Sequence, residues 1–160
     1  MGKLKYLVVH CTATPEGREV TRADIERWHL KERGWSQVGY SDLIHIDGTL
    51  ENLVDWDQDQ IIEASEITNG AKGYNGIARH VVYAGGSSPV KPSWASTYPP
   101  KDTRTKLQYR TLETYVNFHV LRYPDIKIIG HNEISNKSCP SFDVGKFCRD
   151  IGVPEKNIGI

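Results

Sequence analysis

The sequence predicts a single α/β domain, with a mixed β-sheet flanked by helices over residues 1–160. Three observations support this fold class. Apolar β-branched runs alternate with segments of helical periodicity, which is typical of α/β sheets. An Asp-Gly turn separates two strand-like runs, so at least one pair of strands is antiparallel. A length of 160 residues is enough for one hydrophobic core without disulfide support.

The first half of the chain contains four predicted strands and one helix. "KYLVVHC" at 5–11 is a buried strand followed by the loop "TATPEG". Thr21 and Asp24 form a capping box that begins a helix, and Gly34 ends it. "YSDLIHIDGTLENLVDW" at 40–56 is a hairpin around Asp47-Gly48, and "IARHVVYAGG" at 77–86 is the next strand. Residues 57–70 fit either a short helix or irregular structure.

The second half contains a loop, two helices and the last strand. "SSPVKPSWASTYPPKD" at 87–102 holds four prolines in sixteen residues, which predicts an extended loop. A helix follows from Leu107 to Tyr123, where Pro124 stops it. "IKIIGH" at 126–131 is the last strand, and Ser141 is the predicted cap of a short helix that runs through Cys148.

Charge and cysteine content limit the possible functions. Twenty basic and twenty acidic residues give a net charge of zero, which disfavours a nucleic-acid binder. The N-terminal apolar run is too short for a signal peptide or a membrane span, so we expect cytoplasmic synthesis and no membrane insertion. Three cysteines without framework spacing make a disulfide scaffold improbable and favour a metal-binding or catalytic role for at least one.

Two histidines and one cysteine have the chemistry of zinc ligands. His10 and His131 lie at the carboxyl ends of the first and last predicted strands, and Cys139 follows on a loop. Cys11 points to the opposite face from His10 and is assigned to the core. Three protein ligands would leave a position for water, as in a catalytic zinc site. The alternative is that the histidines and the cysteine are structural, and that the nearby Lys137 is a solvated loop residue.

Six short motifs resemble, in order, the type 2 zinc N-acetylmuramoyl-L-alanine amidases, which include phage lysozyme-amidases and are related to peptidoglycan recognition proteins. They are "VVHCTAT", "GWSQVGY", "DGT", "AKGYN", "GG" and "GHNEISNKSCPSFD". The resemblance spans residues 6 to about 150. The resemblance implies one Zn²⁺ held by His10, His131 and Cys139, with Tyr40 and Lys137 as catalytic residues. Two positions depart from the family pattern, because Ser41 and Gly70 stand where histidine is common.

The resemblance implies hydrolysis of the amide bond between N-acetylmuramic acid and L-alanine in peptidoglycan. The alternative is a recognition module on the same fold that binds the muropeptide without cleaving it. As a hydrolase, the chain would be a monomer that reaches the cell wall after release during phage or prophage lysis. Substrate contacts are predicted at four residues, although a polar turn or a loop aromatic would explain them equally well: Lys72, Tyr74, Asn75 and Trp94. The remaining histidines are interpreted as structural or surface residues: His29, His45, His80 and His119.

Overall fold

A computed structural model describes residues 2–160 of the protein. The strands are β1 (Gly2–Lys3), β2 (Tyr6–Cys11), β3 (Thr14–Pro15), β4 (Asp42–Ile44), β5 (Leu50–Asn52), β6 (Ile61–Ile62), β7 (Ala78–Tyr83), β8 (Gly86–Ser87) and β9 (Lys127–Gly130). The helices are α1 (Arg22–Glu26), which continues as a π-helical segment (Arg27–Glu32), α2 (Lys106–Arg122) and α3 (Val144–Asp150). Single 3₁₀ turns cover Ala64–Glu66, His131–Glu133 and Glu155–Asn157.

The central sheet has five strands in the order β5-β4-β7-β2-β9. Within this sheet β4, β7, β2 and β9 are mutually parallel, and the edge strand β5 pairs antiparallel with β4. The mixed α/β fold predicted from the sequence is therefore confirmed. β1 pairs with β6 and β3 pairs with β8 in two small accessory sheets.

Side chains on the two faces of the central sheet belong to different clusters, which gives the molecule three layers. Leu7 and Val9 of β2 pack with Leu112 of α2 and Phe147 of α3 on one face. On the other face, Leu43 and Val82 pack with Ile25 of α1. Because successive strand residues point to opposite faces, His10 lies on the α1 side and Cys11 on the side of α2 and α3. Cys11 is buried in that core cluster, as predicted.

The helix ends and the hairpin follow local sequence signals. Thr21 and Asp24 form the predicted capping box. The π-helical continuation of α1 ends next to Gly34, which adopts a φ of 69°. Gly48 has a φ of 86° in the turn between β4 and β5, a conformation that a residue with a Cβ adopts only with strain. These predictions are confirmed, as is the helix predicted from Leu107 to Tyr123.

The predicted cap of the last helix is wrong. Asp143 is the N-cap of α3, and its carboxylate accepts a hydrogen bond from the backbone amide of Lys146. Ser141 instead has a φ of 69°, and its hydroxyl donates to the carbonyl oxygen of Gly86. Residues 57–70, which the sequence left ambiguous, contain β6 and one 3₁₀ turn. Within residues 2–160, the longest apolar stretch of any helix falls short of what a bilayer crossing requires.

Candidate metal centre

The candidate site is a cleft of about 460 Å³ at the carboxyl ends of β2 and β9. His10 is the penultimate residue of β2, and His131 directly follows β9. Cys139 lies on the loop that leads from His131 toward α3. Neighbouring parallel strands end at the same edge of a sheet, and the register pairs Val9 of β2 with Gly130 of β9. The two histidines are therefore neighbours in space although they are far apart in sequence.

The structure brings the three predicted ligands together. The candidate ligand atoms of His10, His131 and Cys139 all lie within 4.8 Å of one another. The imidazole rings of the two histidines have centroids 4.6 Å apart, and Nδ1 of His10 is 3.7 Å from Sγ of Cys139. Two ring nitrogens and one sulfur at this separation could share a metal ion with bonds of about 2.0–2.3 Å.

The loop that carries Cys139 is fastened to the sheet by side-chain and backbone hydrogen bonds. The backbone amide of Cys11 donates to Sγ of Cys139 over 3.2 Å, which sets the sulfur beside the end of β2. The hydroxyl of Tyr83 donates to the carbonyl oxygen of Pro140 over 2.7 Å, and Ser141 bonds Gly86 over 2.8 Å. The sulfur is thus held in place by the protein itself.

His80 contacts the His10 ring at Nε2, whereas Cys139 lies near the other ring nitrogen, Nδ1. It lies on β7, where the register pairs it with Val8, so His80 and His10 project from the same face of the sheet. Nδ1 of His80 is 2.9 Å from Nε2 of His10, and the His80 side chain is fully buried. The sequence interpretation of His80 as structural missed this contact with a candidate ligand. The pairing register of β2 and β7 would have revealed it.

Gly70 makes room for that histidine. A Cβ atom at position 70 would lie 2.5 Å from both Cγ and Nδ1 of His80, and 2.6 Å from the carbonyl oxygen of Gly39. The glycine at this position, which departs from the family pattern, therefore has a local physical reason. Only a residue without a side chain leaves the space that the His80 ring fills.

The histidines of the cluster are held neutral. Burial, followed by the nearby His80 and His131, lowers the pKa of His10 well below its ordinary value. Burial and the Lys137 ammonium lower the pKa of His131, and burial lowers the pKa of His80 to about 3. A neutral imidazole keeps the lone pair that a metal needs.

The pKa of the Cys139 thiol is shifted upward, whereas the pKa values of the three histidines are shifted downward. Its contact with Cys11 and its burial raise its pKa, so the thiol stays protonated in the absence of a cation. A bound divalent metal would displace that proton, because coordination deprotonates thiols.

Tyr40 and His29 form one wall of the cleft next to His10. The Tyr40 ring lies 5.2 Å from the rings of both His10 and His29, measured between centroids. Burial raises the pKa of the Tyr40 phenol, so the phenol remains a hydrogen-bond donor at neutral pH. Nδ1 of His29 accepts from the backbone amide of Gly39 over 2.9 Å, which places the ring proton on Nε2. The contribution of His29 was not predicted from sequence.

The charged side chains that line the cleft are all basic within the described part of the chain. They are Lys137, which lies on the loop before Cys139, and Arg18 and Arg33, which sequence reasoning did not identify. Arg33 lies over the Trp35 ring at 5.1 Å, and Arg18 lies over Trp28 at 5.6 Å. A protein of zero net charge therefore has a locally positive cleft.

The four predicted substrate contacts are not among the residues that line this cleft. The Tyr74 ring packs edge-on against Tyr6 at 5.4 Å, and the Asn75 side chain accepts from the backbone amide of Ala71. Lys72 is exposed, and Trp94 is 84% exposed on the proline-rich loop. Their role in binding substrate stays a prediction.

Comparison with known protein families shows which family the chain belongs to. Residues 1–142 match the family model described as N-acetylmuramoyl-L-alanine amidase. The chain belongs to this amidase family. An endolysin of Enterobacteria phage K11 is 34% identical over 143 residues, covering 88% of this chain and 83% of the relative. The endolysin of Escherichia phage T7 is 31% identical over 141 residues with the same coverage.

Solved structures show the same fold as this amidase-family chain. The amidase LysC from Clostridium intestinale URNW matches with a TM-score of 0.70 and 20% identity, over 95% of this chain and 87% of that one. Bumblebee peptidoglycan recognition protein SA matches with a TM-score of 0.67 and 16% identity, over 99% and 86% of the two chains. The predicted relation to peptidoglycan recognition proteins is therefore confirmed at the level of the fold.

Proposed function

We propose that this chain is a zinc-dependent hydrolase that cleaves the amide bond between N-acetylmuramic acid and L-alanine in peptidoglycan. The observation that carries the proposal is the convergence of His10, His131 and Cys139 within 4.8 Å in an open cleft. Membership of the amidase family supports the reaction, and the similarity to phage endolysins supports a role in lysis of the cell wall.

The donor set fits zinc better than it fits magnesium or calcium. Two imidazole nitrogens and one thiolate sulfur match the borderline-soft character of Zn²⁺, whereas Mg²⁺ and Ca²⁺ prefer oxygen ligands. Three protein ligands at the base of a cleft also match the composition of catalytic rather than structural sites. When bound, zinc supplies a Lewis acid for the scissile carbonyl and lowers the pKa of a coordinated water toward about 7.

Lys137 and Tyr40 would serve the steps of hydrolysis. Water adds to the amide carbonyl, negative charge develops on the carbonyl oxygen, and the C–N bond then breaks as the amine of L-alanine takes up a proton. The ammonium of Lys137, which lines the cleft, would stabilise the developing negative charge. The protonated phenol of Tyr40 can orient the attacking water by a hydrogen bond.

The basic cleft suits the substrate. Stem peptides of peptidoglycan carry carboxylates, and Arg18 and Arg33 place positive charge on the cleft. Arg18 precedes α1, and Arg33 directly follows the π-helical segment, whose Trp28 and His29 also line the cleft. Trp28 and Trp35 add apolar surface beside these guanidinium groups. We propose that the muropeptide lies along this part of the cleft, with its scissile bond at the three ligands.

The proposal is tested by metal analysis and by an assay of bond cleavage on the same samples. Elemental analysis of the purified chain should give about one zinc per chain, and digestion of purified cell wall should release stem peptides that begin with L-alanine. Cys139→Ala should neither retain zinc nor release these stem peptides. Cys148→Ala is a matched control, since Cys148 is fully buried in the core cluster and is not one of the three candidate ligands.

Two results would contradict the proposal that the chain is a zinc-dependent hydrolase. Wild-type protein that carries zinc and binds cell wall but releases no new L-alanine amino termini would identify a recognition module. Wild-type protein that acquires no zinc, even after refolding with the ion present, would remove the proposed metal centre.

A further inference from the structure

The two ring nitrogens of His10 have different neighbours. Nδ1 lies 3.7 Å from Sγ of Cys139 and faces the cluster, whereas Nε2 lies 2.9 Å from Nδ1 of His80. A nitrogen that takes part in a hydrogen bond at 2.9 Å is not free to bind a metal. Nδ1 of His10 is therefore the atom available to a metal, and a neutral His10 that binds a metal through Nδ1 carries its proton on Nε2.

We propose that His80 is a positioning residue for the metal centre: its Nδ1 accepts the Nε2 proton of His10 and thereby fixes the ring orientation and the tautomer of that ligand. The inference rests on the proposed zinc function. It assigns a role to a residue that contacts neither the substrate cleft nor the metal directly, since His80 is not among the residues lining the cleft.

The environment of His80 holds its ring in one orientation. The side chain is fully buried on β7, and the absence of a side chain at Gly70 provides the space for it. The Cγ and Nδ1 atoms of His80 lie 2.5 Å from where a Cβ of residue 70 would be. Since His10 and His80 project from adjacent strands in fixed register, the acceptor is held in line with the ligand.

A packing role alone does not account for this histidine. When Nδ1 of His80 accepts a hydrogen bond, the ring proton must be on Nε2, and Nε2 is buried without a hydrogen-bond partner within residues 2–160. An aliphatic side chain would fill the space without leaving an unpaired polar atom, which is unfavourable in a protein interior. The imidazole is therefore explained by what its other nitrogen does for His10.

Zinc affinity measured by competition with a chromophoric chelator tests the role. His80→Leu fills the space but removes the acceptor, and we expect its zinc dissociation constant to rise about 10- to 100-fold. His80→Asn keeps an amide oxygen near the position of Nδ1 and should stay within a few-fold of wild type. His119→Leu, which replaces another fully buried histidine on the other side of the sheet, should leave zinc affinity unchanged.

Urea unfolding of the zinc-free proteins distinguishes a positioning role from general destabilisation. The proposal predicts that His80→Leu loses more free energy of zinc binding than free energy of unfolding. Equal zinc affinity in wild type and His80→Leu would overturn the positioning role while leaving the zinc hydrolase intact. An Asn variant as weak as the Leu variant would overturn it too. Wild type without zinc affinity would overturn both proposals together.

A second measurement applies to the wild-type chain if His80→Leu does not fold. Nitrogen-15 NMR of the zinc-loaded protein should show a proton on Nε2 of His10 and none on Nδ1 of His80. A bare Nε2 on His10 would overturn the proposal without any variant.

Discussion

The phenol hydroxyl of Tyr83 donates a buried hydrogen bond of 2.7 Å to the carbonyl oxygen of Pro140, the residue that follows Cys139. Tyr83 is the last residue of β7, and its ring packs in the core near Phe142. The bond therefore links the rigid sheet to the loop that supplies the sulfur. A ligand on a loop depends on such links for its position.

Tyr83→Phe should weaken zinc binding as well as stability. The carbonyl of Pro140 would lose its buried donor, which costs about 1–3 kcal/mol of unfolding free energy, and the Cys139 loop would gain freedom. Tyr123→Phe is the matched control, because its hydroxyl donates to Gln58 over 2.8 Å far from the cluster. Urea unfolding and chelator competition should show two destabilised variants, of which only Tyr83→Phe binds zinc less tightly. Unchanged zinc affinity in both would show that the loop holds its position without this bond.

Lys137→Met should reduce catalysis and leave the metal bound. If the ammonium stabilises the developing oxyanion, its removal should lower kcat by about 10²- to 10³-fold. Zinc content should stay at the wild-type level because Lys137 is not one of the three ligands. Lys156→Met, an exposed lysine on a distant 3₁₀ turn, should keep both activity and zinc. Loss of zinc in Lys137→Met would instead indicate that the residue maintains the loop.

Local signals explain which parts of the molecule the sequence could predict. The β2 strand, the Asp47-Gly48 hairpin and the capping box at Thr21 each depend on residues within a few positions of one another. The three candidate ligands were identified because they follow strands or lie on the loop after one, and because the surrounding motifs resemble the amidase family. Their convergence follows from parallel strands that end at one edge.

The parts that the sequence did not predict depend on tertiary contacts. His80 contacts His10 only through the register of β2 and β7, which no local pattern encodes. Arg33 joins the cleft because the π-helical segment packs beside it. Ser141 and Asp143 are both good N-caps, and the choice between them is made by the distant carbonyl of Gly86, which engages the serine hydroxyl.

Gly70→Ala should destabilise the protein and disturb the metal centre. The new Cβ would overlap the His80 ring at 2.5 Å and the Gly39 carbonyl at 2.6 Å, so the backbone or the ring must move. We expect a loss of about 1–3 kcal/mol in unfolding free energy and weaker zinc binding. Gly76→Ala is the control, since a Cβ there meets nothing within 4 Å. Gly70→Ala as stable as Gly76→Ala would show that the pocket around His80 is not tightly packed.

His119 should make the stability of the zinc-free protein depend on pH. It is fully buried on α2, and burial lowers its pKa to about 3, against about 6.5 in the unfolded chain. Below pH 6.5 the unfolded chain therefore binds a proton that the folded chain does not, so stability falls as the pH falls toward 3, by about 1.4 kcal/mol per pH unit for this group.

His119→Gln should remove that contribution, so the variant loses less stability than wild type between pH 6 and pH 5. Urea unfolding at the two pH values measures the difference. His45→Gln is the control, because the pKa of His45 is shifted upward whereas that of His119 is shifted downward. Burial opposes the shift, but hydrogen bonds to Glu51 and Glu19 raise the pKa of His45, so its contribution is present below pH 6.5 and is lost only as the pH rises through the folded pKa. Between pH 6 and pH 5, His45→Gln should lose as much unfolding free energy as wild type. Equal losses in wild type, His45→Gln and His119→Gln would mean that His119 takes up its proton while folded.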